Sequence, residues 1–256
     1  MTYLFFDIEC ANSFGGIGKM CSFGYALCNQ DFSIIDTADI LLNPDAPFDW
    51  YLFKKGSKCH LTHSRTEYQR QPKFPQYYSK IAALLSAKDR MVLGFGCRND
   101  VATITTECLR YNLPQIAFTC YDMHTILEKH YAMQGGLSAF VEKLGVDTQG
   151  LAFHDSRADA WFTMKVAEHH ARNVGAPLDA VLKPYTPYAS DLVLHDQIKK
   201  LFKKWLERNE AKKAAEGKPL RTPKKVNVPD WFDYKRELMK QLALQAESYN
   251  SPQAIF

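Results

Sequence analysis

The chain begins with three strand-like segments joined by short connections. Residues 3–9, 21–28 and 32–42 are rich in aromatic and β-branched side chains, and residues 29–31 supply a turn between the second and the third. A parallel pair of strands needs a crossover of about a dozen residues or more, so connections this short favour antiparallel pairing. We therefore expect the fold to start with a three-stranded antiparallel sheet.

Predicted helices and strands alternate after this sheet. Residues 43–72 show little regular pattern, and beyond them apolar strand-like runs alternate with segments of helical period. The predicted strands cover residues 91–95 and 116–121. The predicted helices cover residues 74–87, 99–111, 122–131, 136–144 and 156–173. This order is typical of an α/β protein. We expect a mixed sheet, with three antiparallel strands and then parallel strands, flanked by helices.

The pattern breaks near residue 175, where three prolines follow within a short stretch. We expect a domain over residues 1–175 and a helical C-terminal extension over residues 176–256. The extension is predicted to contain a helix, a Pro- and Lys-rich linker and a second helix, at residues 190–215, 217–229 and 231–247.

Charge is distributed unevenly along the chain. Residues 199–256 carry 14 Lys and Arg against 7 Asp and Glu, whereas residues 1–198 carry 18 against 21. A basic extension on a slightly acidic body is typical of a segment that contacts a polyanion. A solvated charged helix explains the same composition equally well.

Several classes of protein are excluded by composition. No run approaches the roughly 18 uninterrupted apolar residues of a membrane span, and the first ten residues lack the basic region of a signal peptide. The seven cysteines are odd in number and form no Cys-x-x-Cys pair, which indicates reduced thiols and not a disulfide framework. We therefore expect a cytoplasmic protein with no membrane segment.

Two acids interrupt the first apolar strand. Asp7 and Glu9 lie two residues apart, so strand alternation points both side chains to the same face. Side by side, two carboxylates repel each other and lose hydration unless a cation lies between them. Mg²⁺ and Mn²⁺ prefer oxygen ligands and fit such a pair. A solvated strand end is the alternative interpretation.

Three more residues are candidates for the same site. Asp159 shares its helix face with Phe162 and Val166, so it is expected to be buried and to need a partner. Asp100 opens its predicted helix at the edge of the inward-facing stripe, where helix capping also explains an acid. His154 lies in a loop five residues before Asp159 and is placed to act as a general base.

These residues fall within three motifs that resemble a known family. Phe6-Asp7-Ile8-Glu9 resembles the first motif of the DEDD superfamily of 3′→5′ exonucleases. The segment from Gly94 to Asp100 resembles the second, and the segment from His154 to Asp159 resembles the third in its histidine subtype. Relatives of this subtype include the epsilon subunit of bacterial DNA polymerase III and ribonuclease T. The similarity covers about residues 2–174.

The resemblance implies a ribonuclease H-like fold and a two-metal mechanism. It implies that two Mg²⁺ or Mn²⁺ ions are held by four carboxylates, with Asp7 bridging both: Asp7, Glu9, Asp100 and Asp159. It assigns the general base to His154 and makes the substrate a single-stranded or 3′-end nucleic acid, with DNA favoured. The C-terminal extension would then contact the substrate or a replication or repair protein.

The sequence leaves three alternatives open. Phe95-Gly96 stands where many relatives have His-Asn, so an RNA 3′-end trimming exoribonuclease of the same fold is one of them. The second is a nucleic-acid-binding adaptor with an inactive nuclease fold, although all five expected side chains are present. The third is an unrelated phosphohydrolase with a metal cluster.

Overall fold

The computed structural model describes residues 1–13, 17–57 and 59–216. Its strands are Thr2–Cys10 (β1), Met20–Asn29 (β2), Ile34–Leu41 (β3), Arg90–Gly94 (β4), Thr119–Asp122 (β5) and Tyr188–Ala189 (β6). Its helices are a short 3-10 helix at Trp50–Phe53 and the α-helices Arg65–Gln69 (α1), Phe74–Leu85 (α2), Arg98–Arg110 (α3), Met123–Tyr131 (α4), Leu137–Lys143 (α5), Ser156–Val174 (α6), Leu178–Leu182 (α7) and Ser190–Ala215 (α8).

The six strands form one mixed sheet in the order β3-β2-β1-β4-β5-β6. The first three strands pair antiparallel, β4 and β5 run parallel to β1, and β6 pairs antiparallel with β5. The expected fold class is therefore confirmed: the chain has a ribonuclease H-like mixed sheet flanked by helices. β1 occupies the middle of the sheet, which explains why most of its residues are apolar and buried.

The two faces of β1 lead to separate cores. Leu4, Phe6 and Ile8 point into a core shared with α2 and α3. Tyr3 and Phe5 point the other way, into a core shared with α4, α5 and α6. Strand alternation places Asp7 and Glu9 on the Phe5 side. The two acids therefore continue the face that α6 covers.

A third, smaller cluster forms where the sequence shows little pattern, in the region 43–72. Phe48, Leu52, Leu61 and Tyr68 pack there with Ala11, just beyond the end of β1. The region contains the 3-10 helix and α1, which begins with a capping box between Ser64 and Glu67. Each of these helices is only about one turn long, too short for a helical period to show in the sequence.

A short helix, α7, lies within the proline-containing stretch, and the two-residue strand β6 follows it. Leu178 and Leu182 of α7 are buried in the core beneath α6, and the backbone N–H of Ser190 donates to the carbonyl of Phe118 at 3.0 Å. Residues Met1–Val193 form one compact unit, and α7 and β6 belong to it.

The predicted helix over residues 190–215 corresponds to α8. The predicted linker at 217–229 and the helix at 231–247 lie outside the described residues. Among the helices that the structure describes, none is both long enough and apolar enough to cross a membrane.

Candidate active site

A backbone contact between β2 and α6 sets the position of the site. Gly24 pairs with Asp7 across the sheet, and a Cβ at Gly24 would clash with the backbone of Ser156 and Arg157. Only glycine allows the first turn of α6 to approach the sheet this closely. The first turn of α6 therefore lies directly over the part of the sheet that carries Asp7.

The first turn of α6 brings Asp159 to the acids of β1. Asp155 caps the helix by accepting a hydrogen bond of 2.9 Å from the backbone N–H of Ala158. Asp159 is only 9% exposed, and its Oδ2 accepts a hydrogen bond of 3.1 Å from the backbone N–H of His154. A ring nitrogen of His154 and carboxylate oxygens of Glu9 and Asp159 all lie within 4.8 Å of one another.

Asp100 comes from β4 and α3, on the side of β1 opposite to β2. Gly94 ends β4, and a Cβ there would clash with the side chain of Cys97, so a tight turn leads at once into α3. Asp100 lies in the first turn of that helix, where the helix dipole favours an acid. Its charge is among those that raise the pKa values of Asp7 and Glu9, so the structure brings all four predicted acids together.

Burial and repulsion from neighbouring carboxylates raise the pKa of every acid in this group. Burial raises the pKa of Asp7 well above its usual range, and the charge of Asp100 raises it further. Burial raises the pKa of Glu9 to about 8, with Asp159 as the next cause. Burial also raises the pKa values of Asp100 and Asp159 to about 7. Carboxylates in this position are unstable as anions unless a cation joins them.

The donor atoms present fit divalent cations. Oδ1 of Asp159 is buried and has no hydrogen-bond partner among the described residues, so it is an acceptor that needs a positive partner. Carboxylate oxygens are the ligands that Mg²⁺ and Mn²⁺ prefer. The four acids could therefore hold such ions. His154 suits a different task, because burial lowers its pKa and keeps its ring neutral and able to accept a proton.

Asp39 and His63 were not predicted to lie beside the carboxylate site. Asp39 on β3 pairs with Gly24, which in turn pairs with Asp7, and its charge also raises the pKa of Asp7. Its Oδ1 accepts hydrogen bonds from Ser156 and Ser22, and Nε2 of His63 lies 3.5 Å from its Oδ2. Only the register of β3 against β2 reveals this neighbour.

Asp122 is a second neighbour that the sequence did not indicate. Its Oδ1 accepts a hydrogen bond of 2.7 Å from the backbone N–H of Gly96, and it also caps α4 through the N–H of His124. After burial, its charge is the next cause of the raised pKa of Asp100. Asp122 ends β5, the strand beside β4, so its role could be anticipated only once these two strands were known to pair.

No protein-family model and no curated protein matches the sequence. Solved structures do match. The nuclease domain of 3′hExo, a DEDDh family member solved bound to rAMP, is 19% identical with a TM-score of 0.57, over 67% of this chain and 92% of that one.

Exonuclease I is a second match, 16% identical with a TM-score of 0.56. Exonuclease I of E. coli in complex with a dA16 oligonucleotide matches at 15% identity with a TM-score of 0.55. Each alignment covers 67% of this chain but only 41% of exonuclease I, so the chain spans less than half of that protein. At these identities the likeness is one of fold.

Proposed function

We propose that this protein is a metal-dependent 3′→5′ exonuclease of the histidine subtype of the DEDD superfamily. One observation carries the proposal: four carboxylates with raised pKa values share one site, and a buried oxygen of Asp159 has no hydrogen-bond partner among the described residues. Such a group fits a protein whose working state contains divalent cations. The likeness in fold to exonuclease nuclease domains supports the same conclusion.

The residues divide into two roles. Asp7, Glu9, Asp100 and Asp159 would hold two Mg²⁺ or Mn²⁺ ions. When bound, the ions would supply Lewis-acid stabilisation to the attacking and leaving oxygens of an in-line displacement.

His154 acts on the attacking water. Its neutral ring takes a proton from the water while the water oxygen forms a bond to phosphorus. The bond from phosphorus to the 3′ oxygen of the preceding nucleotide breaks, and that oxygen takes up a proton from solvent. The hydrogen bond from the backbone N–H of His154 to Asp159 holds the part of the loop that carries the ring beside the carboxylates.

The nucleic acid class is proposed to be DNA, with RNA as the alternative. Both classes occur among the matching structures, since 3′hExo was solved with rAMP and exonuclease I with dA16. The basic extension is proposed to contact phosphates or a replication or repair protein. A cytoplasmic setting is consistent with the seven free cysteines.

The test uses single-stranded DNA and RNA of identical sequence, labelled at the 5′ end and incubated with Mg²⁺ or Mn²⁺. We expect a ladder of labelled products that shorten progressively from the 3′ end, and no ladder with Asp7→Asn. Shortening of RNA alone would support the exoribonuclease. Binding of both strands without cleavage would support the adaptor and would contradict the proposed activity.

A further inference from the structure

An exposed aromatic and cationic patch lies outside the carboxylate site. Trp50 is 71% exposed and Tyr51 is 41% exposed, and their rings meet edge to face with centroids 6.2 Å apart. Nζ of Lys54 lies 5.5 Å from the centre of the Trp50 ring. These three residues are called the Trp50 patch. An exposed indole beside a second ring and a lysine offers an aromatic face and a positive charge to a ligand.

Buried contacts and backbone hydrogen bonds hold the segment that carries the Trp50 patch in place. Leu52, which lies between these exposed side chains in the sequence, is buried in the small cluster with Phe48. The backbone N–H of Asp49 donates to the carbonyl of Ala11 at 2.8 Å, and the N–H of Leu61 donates to the carbonyl of Leu52 at 2.9 Å. A surface that is already ordered loses little conformational entropy when it binds a ligand.

The segment that carries the patch borders the carboxylate site. Residues 48–70 are called the aromatic segment. Asp49 is bonded to Ala11, only two residues beyond Glu9. Farther along, the hydroxyl of Thr62 donates to the carbonyl of His154 at 3.4 Å. The aromatic segment therefore contacts both the end of β1 and the loop that carries the proposed base.

The charge of the aromatic segment suits a polyanion. It contains two acids and five basic residues, the latter being Lys54, Lys55, Lys58, Arg65 and Arg70. Residues 1–198 as a whole carry an excess of three acids, so this positive region stands out from its surroundings. Aromatic side chains interleaved with basic ones are typical of surfaces that bind single-stranded nucleic acid.

We propose that the Trp50 patch binds single-stranded nucleic acid by stacking a base on Trp50, on the 5′ side of the phosphodiester at the carboxylate site. This inference rests on the proposed function, because it places the scissile phosphate at the carboxylates. A base inside a duplex is stacked on both faces, so the patch selects an unpaired strand. A basic side chain next to the indole neutralises the adjoining phosphates.

The test measures binding of a fluorescent single-stranded oligonucleotide to the full-length chain in EDTA, which prevents cleavage. Trp50→Ala is expected to weaken binding by about fivefold or more, in keeping with the loss of one stacked base. Trp50→Phe retains an aromatic face and keeps most of the affinity. Leu192→Ala is the matched control, because Leu192 is 64% exposed and lies outside the aromatic segment.

A set of oligonucleotides with one abasic position, moved stepwise along the strand, distinguishes stacking from other roles. At the position that Trp50 contacts, wild type and Trp50→Ala should bind equally, because there is no base to stack. Equal affinity of both proteins for the intact strand would overturn the inference. A Trp50→Ala defect that persists at every abasic position would overturn it too, since it would indicate a structural role.

The binding test and the proposed activity fail in different ways. If binding depends on Trp50 but the wild type never shortens a strand, the inference about the Trp50 patch stands and the proposed exonuclease activity is wrong. If the wild type shortens strands and Trp50→Ala binds normally, the proposed activity stands and the inference about the patch is wrong.

Discussion

The backbone of Ser156 lies so close to Gly24 that the added Cβ of any other residue at position 24 would overlap it. This contact joins the middle of the sheet to the first turn of α6. Because Gly24 pairs with Asp7 and Asp159 lies in that first turn, one glycine fixes the spacing between two acids far apart in sequence.

Gly24→Ala should therefore separate α6 from the sheet. We expect it to lower the free energy of unfolding by about 2 to 3 kcal/mol, because overpacking against backbone cannot be relieved by a side-chain rotation. Chemical denaturation measures the loss. Gly136→Ala is the control, since a Cβ there meets no atom within 4 Å. Equal stability of the two variants would contradict the role given to Gly24.

The crowded carboxylates should destabilise the metal-free protein at alkaline pH. Their pKa values are raised in the folded state, to about 8 for Glu9 and about 7 for Asp100 and Asp159, so the folded state binds more protons than the unfolded state. In EDTA, the free energy of unfolding should fall as pH rises from about 4, where unfolded carboxyl groups titrate, to about 8. Asp7→Asn removes one charge and should raise the melting temperature in EDTA at pH 8.

With Mg²⁺, the wild type should have a higher melting temperature than Asp7→Asn, the reverse of the order in EDTA. The reason is that the ion stabilises the wild-type site and binds the variant less well. Thermal unfolding with EDTA and with Mg²⁺ measures both effects. A wild-type protein whose stability in EDTA is the same at pH 6 and pH 8 would refute this prediction.

His170 should give stability a separate pH dependence. Burial lowers its pKa to about 4, with His130 as the next cause. The unfolded state therefore binds a proton that the folded state does not, and stability is lost as pH falls from about 6.5 towards 4. His170→Phe should remove this part of the loss, on the order of 2 kcal/mol. The control is His169→Gln, a change at a neighbouring, exposed residue, and it should leave most of the loss of stability at low pH in place. Denaturation curves of the wild type and both variants at pH 4.5 and pH 7 measure this loss.

Changing His154 should separate proton transfer from metal binding. His154 has a φ of 65°, a left-handed conformation that Asn adopts more readily than most residues, so His154→Asn keeps the backbone and its bond to Asp159. We expect turnover to fall by about 10² to 10⁴ while Mn²⁺ affinity changes little. Unchanged turnover at saturating Mn²⁺ would remove His154 from the role of base.

The central part of the site was predictable because local periodicity determines it. Strand alternation is enough to put Asp7 and Glu9 on one face, and helical period is enough to turn Asp159 towards the core. The position of Asp39 could not be predicted from the sequence, for the opposite reason. Its place beside Asp7 depends on how three strands pair, and nothing local to β3 specifies that register.

In the fold, too, elements with a clear local period were predictable and elements set by pairing across the sheet were not. The long strands and helices have clear periods and lie close to their predicted ranges, whereas the two-residue strand β6 has none. The strand expected at 116–121 instead covers Thr119–Asp122, because its pairing with Ala189 begins at Thr119 and its pairing with Val92 begins at Cys120. Pairing across the sheet, and not the apolar run, determines where this strand begins.

Calorimetric titration with Mn²⁺ tests the central claim most directly, since the claim is that buried acids are tolerated because they bind divalent ions. Wild type is expected to bind two ions. Asp159→Asn, which keeps an oxygen to accept the hydrogen bond from His154, is expected to bind Mn²⁺ at least about tenfold more weakly, because an outer-sphere change alone already costs that much. Identical titrations for the two proteins, or no binding by wild type, would contradict the account.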